Sequence, residues 1–194
     1  FIAPDRRLQL QASLIRSHAA GTGTEVEREV VRGLQLLRLQ TLASGRTGVR
    51  PVVVETYAAL LNEGITPVVR EYGSLGCSGD LAPLAHIALA AMGEGDVRDA
   101  SGALVPAAEA LAAAGIEPLT LVEKEGLALI NGTDGMLGML VLALHDLETL
   151  LLTADIAAAL SVESQLGTDA VFAADLMALR AQTGQAESAA NLRA

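Results

Sequence analysis

Apolar residues recur every three to four positions along most of the chain, a spacing that predicts amphipathic helices. The first predicted helix has an apolar face formed by Leu8, Ala12, Ile15 and Ala19. Gln11 lies on the opposite side of this helix and is expected to face solvent. The pattern therefore predicts a fold in which helices pack through aliphatic faces.

Signals for helix ends divide this pattern into segments. Thr24 and Glu27 have the spacing of a capping box, which predicts the start of the second helix. Pro51 is a favoured first residue for the third helix, and Asp80 can cap the fourth. The predicted helices span residues 5–19, 24–45, 51–63, 80–92, 106–114, 122–166 and 169–180, and another begins at 185.

One segment departs from the helical pattern. Residues 94–105 place two short runs on either side of Asp99-Ala100-Ser101-Gly102, which predicts a small β-hairpin. The longest segment, 122–166, carries Gly132, Gly135 and Gly138, which are tolerated in a helix where another backbone or a ligand comes close. The predicted fold class is all-α, a single domain built as a long-helix bundle with one hairpin.

Composition limits the classes of function. Hydrophobic residues make up 51% of the chain but aromatic residues only 2%, so the core must consist of aliphatic side chains. A formal charge of −10 argues against a surface for nucleic acid or for an anionic membrane. The single cysteine excludes an internal disulfide and fits a reducing compartment, so we expect a cytoplasmic location. Three histidines without ligand spacing predict no metal site.

Residues 135–160 form the most apolar stretch and bear on the question of a membrane span. Asp146, Glu148 and Asp155 interrupt the stretch, whereas a bilayer span has about 20 residues with few or no charges. We therefore expect a buried helix of a soluble protein. The first residues lack a basic start followed by an apolar run, so no signal peptide is predicted.

The most distinctive stretch is Gly73-Ser74-Leu75-Gly76-Cys77-Ser78-Gly79-Asp80-Leu81-Ala82-Pro83-Leu84. Its glycines allow a tight turn with positive φ. A phosphate loop is disfavoured, because no lysine follows at the required position. Cys77 could instead be a thiolate nucleophile at a helix N-terminus, although no His or Asn lies nearby in sequence to form a dyad. Asp80 either caps the following helix or assists proton transfers, and its position alone favours neither.

From Gly73 to His86 the sequence resembles the signature of the histidine/phenylalanine ammonia-lyase family. The resemblance implies that Cys77-Ser78-Gly79 closes into a methylidene-imidazolone (MIO) prosthetic group, with no metal or nucleotide cofactor. The family more commonly has Ala at the position of Cys77. The change is mild, because this residue contributes its carbonyl carbon to the ring and its side chain is only a substituent. His86 is interpreted as a packing histidine.

Two further runs extend the resemblance. Ser17-His18-Ala19-Ala20-Gly21 resembles the family's substrate-selectivity segment, which implies that Ser17 and His18 bind the substrate. His18 would contact the imidazole of the substrate or assist a base near it. By spacing alone, His18 is a histidine favoured by the helix dipole. Glu125-Gly126-Leu127-Ala128-Leu129-Ile130-Asn131-Gly132-Thr133 resembles a second family run, which implies that Asn131 contacts the prosthetic group or the substrate carboxylate. By pattern alone, Asn131 is a polar residue in mid-helix that needs a partner.

The resemblance implies non-oxidative elimination of ammonia from L-histidine to give trans-urocanate. It implies a histidase/aspartase-like helical bundle assembled as a homotetramer, with active sites shared between subunits and no nucleic-acid or membrane partner. It also implies further active-site residues before Phe1 and after Ala194, so we expect an internal fragment with little lyase activity alone. Two alternatives stay open: a lyase or aminomutase acting on phenylalanine or tyrosine, and a non-catalytic helical oligomerisation module with an uncyclised turn.

Overall fold

A computed structural model of the chain describes residues 2–3, 6–76, 79–180 and 182–194. The chain forms two compact units, Phe1–Val141 and Leu142–Ala194, and each is described by itself. The first unit contains α1 (Arg7–His18), α2 (Arg28–Ala43), α3 (Pro51–Asn62), α4 (Leu81–Ala91), α5 (Ala107–Ala113), α6 (Glu125–Ile130) and the start of α7 (Asp134–Ser164). The predicted all-α class is confirmed, whereas the single domain stays a prediction.

The helices of the first unit surround an aliphatic core. Ile15, Leu34, Leu84 and Leu129 come from α1, α2, α4 and α6, and each is at most 2% exposed. Tyr57 of α3 is fully buried among them. The predicted face of α1 is wrong in part: Gln11 is buried and Leu8 is half exposed, because the Gln11 side chain accepts the N–H of Gly126 across 2.9 Å.

Among the described residues, five short strands accompany the helices: β1 (Thr22–Glu25), β2 (Thr66–Pro67), β3 (Arg70–Tyr72), β4 (Asp96–Arg98) and β5 (Leu104–Pro106). The predicted hairpin at 94–105 is confirmed as the antiparallel pair β4–β5. Sequence patterning misses β2, which adds a third strand beside β4, and the separate antiparallel pair of β1 with β3.

The capping box predicted at Thr24 is wrong. Thr24 lies in β1 and its hydroxyl donates to the Glu71 carboxylate across 2.8 Å, away from α2. Glu27 occupies the N-cap position of α2 without a side-chain capping bond. By contrast, Pro51 is the first residue of α3, as predicted.

The long helix predicted over 122–166 is interrupted. α6 ends at Ile130 and α7 begins at Asp134, so residues 131–133 form a break. Where α7 starts, Gly138 packs on the backbone of α2, since a Cβ there would lie 3.2 Å from the Val30 oxygen and from the Leu34 nitrogen. The close approach predicted from the glycines is therefore confirmed at Gly138.

Beyond its first turns, α7 is not buried within this chain, contrary to our expectation for 135–160. Leu140, Leu144 and Leu147 are about half exposed, and Leu150 and Leu160 are 62% exposed. Within the described residues, the stretch 125–164, which contains α6, the break and α7, is the one that is long and apolar enough to cross a membrane by length and composition. A helix that is apolar on all sides is also found buried inside soluble assemblies.

The second unit is small. After α7 it contains a 3₁₀ helix (Ala170–Phe172), α8 (Ala174–Ala178) and α9 (Thr183–Arg193). The single helix predicted over 169–180 is therefore split, because Ala173 adopts an extended backbone with ψ of 142°. Asp155 of α7 accepts hydrogen bonds from Ser188 and, across 2.7 Å, from Asn191, which fastens α9 to α7.

Candidate active site

The glycine-rich turn lies between β3 and α4. Gly76 has a φ of +68° and Gly79 has a φ of +102°, values in the left-handed region that favours glycine. Cys77 and Ser78, the predicted precursors of the prosthetic group, lie outside the described residues. A Cβ on Gly79 would lie 2.8 Å from the Gly132 carbonyl carbon, so no side chain fits there. The positive φ predicted for this turn is confirmed at both glycines that flank the two central residues.

Asp80 is buried and 1% exposed, and its carboxylate does not cap α4. One carboxylate oxygen accepts the Ser74 hydroxyl across 2.6 Å, and the other accepts the backbone N–H of Met136 across 2.9 Å. Met136 lies in the first turn of α7, whose free N–H groups need acceptors. The predicted cap of α4 is therefore wrong: Asp80 caps a helix that is distant in sequence.

Gly132 links the break before α7 to the turn. Its carbonyl accepts the backbone N–H of Asp80 across 2.6 Å. Gly135 leaves room for the same aspartate, because a Cβ there would lie 3.1 Å from the Asp80 carboxylate. The turn at 79–80 is thus enclosed by the residues that begin α7.

A buried ion pair supports this break. Arg38 of α2 is 2% exposed, and its guanidinium pairs with the Asp134 carboxylate. The same guanidinium donates to the carbonyls of Ala128 across 3.2 Å and of Asn131 across 3.4 Å.

Sequence reasoning missed Arg38, although one signal was present. Arg38 occurs at a spacing of four from Leu34 and from Leu42, both of which are buried, so it falls on the core-facing side of α2.

Asn131 is not in mid-helix, contrary to the prediction from the pattern. It occupies the C-cap position of α6 with an extended backbone, φ −99° and ψ 95°. Its side chain is exposed within the described chain, so it is not a core amide. Its neighbour Gly132 contacts Gly79, so the structure places Asn131 one residue from the turn.

Ser17 and His18 form the C-terminal end of α1. The Ser17 hydroxyl donates to the Leu14 carbonyl across 2.9 Å, and His18 Nδ1 lies 2.8 Å from the same oxygen. Because a carbonyl only accepts, this contact assigns a proton to Nδ1, and in the neutral ring Nε2 is then an acceptor. Among the described residues, His18 Nε2 has no hydrogen-bond partner, which leaves it available to a ligand.

The loop after His18 is packed against the glycine-rich segment. A Cβ on Gly73 would lie 3.1 Å from the Gly21 Cα, so the two backbones are in contact. The Gly21 N–H donates to Nε2 of His86 across 3.1 Å. Burial, and secondly the charge of Arg70, lower the pKa of His86, which favours the neutral ring that this bond needs. The prediction that His86 is a satisfied packing histidine is confirmed.

Backbone contacts in the structure therefore bring the segments that carry the predicted site residues together. Gly79 and Asp80 contact Gly132, next to Asn131, and the segment of Ser17 and His18 reaches the turn through Gly21 and Gly73. The roles of these side chains toward a substrate stay predictions. Within the described part of the chain, no group of three or more His, Cys, Asp or Glu side chains could hold a metal ion.

Comparison with known proteins identifies relatives of this chain. A histidine ammonia-lyase from Streptomyces coelicolor is 64% identical over 193 residues, which are 100% of this chain and 38% of that protein. A histidine ammonia-lyase from Deinococcus radiodurans is 52% identical and covers 95% of this chain and 35% of its own length. The chain therefore spans little more than a third of the relatives that it matches.

Solved structures show the same fold. The crystal structure of histidine ammonia-lyase from Trypanosoma cruzi matches 100% of this chain and 38% of its own, with a TM-score of 0.94 and 36% identity. Tyrosine aminomutase from Streptomyces globisporus matches 97% of this chain and 35% of its own, with a TM-score of 0.90 and 44% identity. The family model for aromatic amino acid lyase matches residues 1–194. The predicted resemblance is confirmed, and the chain belongs to the aromatic amino acid lyase family.

Proposed function

We propose that the protein containing this chain eliminates ammonia from L-histidine to give trans-urocanate. The observation that carries the proposal is the enclosed turn at Gly79, which has a φ of +102° and no space for a Cβ. The turn includes Gly79 of the tripeptide from which we propose that the prosthetic group forms. The relatives named histidine ammonia-lyase, at 64% and 52% identity, support histidine as the substrate.

The described residues fit the formation of the prosthetic group from Cys77-Ser78-Gly79. Ring closure would join the Gly79 nitrogen to the Cys77 carbonyl carbon, and the carbonyl oxygen would leave as water with the amide hydrogens of Ser78 and Gly79. Ser78 would then lose its hydroxyl and its Cα hydrogen as a second water. Such a closure needs a compressed turn, and Gly76 and Gly79 provide positive φ on both sides of it. When present, the group supplies an electrophilic carbon that activates the amino acid for loss of ammonia.

The side chains around the turn have roles that follow from their contacts. Asp80 holds the turn against α7 through Ser74 and Met136, and its position next to Gly79 supports a role in proton transfer during ring closure. His18, with Nε2 as an acceptor, can take an N–H from the imidazole of histidine. Ser17 has its hydroxyl bonded to the Leu14 carbonyl and 3.1 Å from His18 Nδ1, and we assign it with His18 to substrate binding. Asn131 has an exposed amide that can donate to the substrate carboxylate or to the prosthetic group.

We further propose that the whole protein is a cytoplasmic homotetramer. The half-exposed leucines along α7, including Leu140, Leu144 and Leu147, support assembly, because a large apolar surface is stabilised by a partner. The single cysteine supports a reducing compartment.

The first experiment is the intact mass of the purified chain. Ring closure and dehydration remove two waters, about 36 Da, and no change of fold alters the mass. We expect this deficit in the wild-type chain and its absence in Ser78→Ala. A mass equal to that of the unmodified sequence would contradict formation of the group in this chain. Robust urocanate production by residues 1–194 alone would contradict the expectation that the isolated chain has little activity.

A second function is favoured by one observation, the 44% identity to tyrosine aminomutase. The two functions differ in product, since an aminomutase returns a β-amino acid whereas a lyase releases ammonia. Incubating the intact protein with histidine, phenylalanine and tyrosine separately, and identifying each product, distinguishes them. Urocanate from histidine, with no conversion of the other two, supports the first proposal.

A further inference from the structure

Gly132 is the residue through which the break before α7 meets the turn. Its carbonyl accepts the N–H of Asp80 across 2.6 Å. Its carbonyl carbon and its nitrogen lie 2.8 and 3.0 Å from the position of a Cβ on Gly79. Gly79 supplies the nitrogen for the proposed ring closure, so the placement of Gly132 restricts the backbone of the residue that reacts.

The position of Gly132 is set from the other side by Arg38. A Cβ on Gly132 would lie 2.8 Å from the Arg38 Cζ, so the guanidinium is in contact with this backbone. The guanidinium binds acceptors before and after Gly132: the carbonyls of Ala128 and Asn131 with one nitrogen, and the Asp134 carboxylate with the other. Arg38 therefore fixes both ends of the segment that carries Gly132.

Stability alone does not account for a buried arginine at this position. An ion pair taken out of water gains little over aliphatic residues of similar volume, because its desolvation offsets the attraction between the charges. Arg38 is 2% exposed and lies on the same helix face as Leu34 and Leu42, where a third aliphatic side chain would pack. What the guanidinium adds is a rigid planar fork that sets the geometry of several acceptors at once.

We propose that Arg38 is a positioning residue for ring closure at Cys77-Ser78-Gly79. Its guanidinium, held by Asp134, fixes the 128–134 segment so that Gly132 holds Gly79 and Asp80 in the compressed turn. Arg38 acts through Gly132, because its hydrogen bonds in the described residues are all to the 128–134 segment. This inference rests on the proposed function, since it assumes that the tripeptide closes.

The test measures maturation, which is the loss of two waters when the tripeptide closes and Ser78 dehydrates. It uses the mass of the protein and not its enzymatic turnover. The intact protein is synthesised in a cell-free system, and its loss of two waters, about 36 Da, is followed over time by mass spectrometry. The variants are Arg38→Lys and the charge-neutral pair Arg38→Met with Asp134→Asn. We expect both to lose the waters at least about tenfold more slowly than the wild-type protein, because small misplacements slow reactions strongly.

A matched control lies at the other end of α6 from Gly132. There, Arg50 and Glu125 form an ion pair with two side-chain contacts of 2.9 Å. Arg50→Met with Glu125→Gln removes the ion pair between Arg50 and the buried Glu125 carboxylate. Neither substitution lies in the 131–134 break. We expect the control pair to lower the thermal midpoint and still mature at the wild-type rate.

The outcomes separate the inference from the proposed function. If the wild-type protein keeps both waters, the proposed function fails and the inference fails with it. If the wild-type protein matures and the Arg38 variants mature equally fast, only the inference is overturned. It is also overturned if maturation slows in the control pair in proportion to its loss of stability. Arg38→Lys keeps the positive charge beside Asp134, so it provides a folded variant if the neutral pair does not fold.

Discussion

The Asp80 carboxylate accepts the backbone N–H of Met136 across 2.9 Å, so the residue that follows the glycine-rich turn caps a helix far along the chain. Through its own N–H, Asp80 also binds the Gly132 carbonyl just before that helix. These two bonds make the start of α7 and the turn one structural element. A change in either is expected to disturb the other.

The contacts of Asp80 predict a graded loss of stability. Asp80→Ala leaves the Met136 N–H and the Ser74 hydroxyl without their acceptor in a buried site, which should lower the free energy of unfolding by about 3 kcal/mol or more. Ser74→Ala removes one of these bonds together with its donor, so the loss should be about 1–2 kcal/mol. Urea unfolding of both variants measures the difference. Equal losses would show that the bond to Met136 contributes nothing.

Gly79 and Gly115 form a matched pair for separating backbone strain from steric overlap. Both have positive φ, +102° and +67°, but a Cβ on Gly79 would meet backbone atoms of Gly132, whereas a Cβ on Gly115 would have no described atom within 4 Å. Gly115→Ala should therefore cost only the left-handed strain, about 1–2 kcal/mol. Gly79→Ala adds an overlap with Gly132 and should cost more than about 3 kcal/mol.

Urea unfolding compares the two alanine variants, and intact mass shows whether the tripeptide closes. We expect Gly115→Ala to show the deficit of two waters and Gly79→Ala to lack it. A stable Gly79→Ala protein with the full deficit would contradict the packing seen around Gly132.

His86 predicts a dependence of stability on pH. Burial and the charge of Arg70 lower its pKa from the ordinary value of 6.5, so the unfolded chain binds this proton more readily than the folded chain. The contribution of neutral His86 is fully present above pH 6.5 and is lost as the pH falls below that value. Protonated His86 could no longer accept the Gly21 N–H, so the loop after His18 should loosen.

Thermal midpoints measured between about pH 7 and about pH 5 test this, since most carboxylates titrate below that range. His86→Gln keeps a side-chain acceptor but does not titrate, so its midpoint should fall less over the same interval. Identical pH profiles for the two proteins would show that the bond from Gly21 is not coupled to protonation.

Local sequence signals predicted the fold where the cause was local. Pro51 begins α3 because its fixed φ suits the first helical position, and Asp99 to Gly102 turn between β4 and β5 as expected. The prediction failed where a distant partner decided the outcome. Thr24 bonds to Glu71 instead of capping α2, and Asp80 caps α7 instead of α4.

The features of the candidate site also separate into those with a local cause and those decided by a distant partner. The glycine-rich motif and its positive φ values follow from residue type, so Gly76 and Gly79 were predictable. The break at 131–133 was missed, although Asn131-Gly132-Thr133-Asp134 interrupts the apolar pattern with residues typical of a turn. The bonds from Arg38 to the carbonyls of Ala128 and Asn131 hold this break in place. An arginine on an aliphatic helix face is the signal that could have indicated this contact.

His18 should decide the choice of substrate. Its Nδ1 is bonded to the Leu14 carbonyl and its Nε2 is left as an acceptor, a combination that suits the N–H of an imidazole and gives no advantage to a phenyl ring. In the intact protein, His18→Leu should lower kcat/KM for histidine by about 10–100-fold, the effect of losing one polar contact to the substrate. Ser17→Ala removes the hydroxyl that lies 3.1 Å from His18 Nδ1 and should lower kcat/KM for histidine by less than His18→Leu does, because the Leu14 carbonyl still holds Nδ1. Steady-state formation of urocanate measures both variants. Unchanged histidine turnover in His18→Leu, together with conversion of tyrosine or phenylalanine, would favour the aminomutase or aromatic lyase function instead.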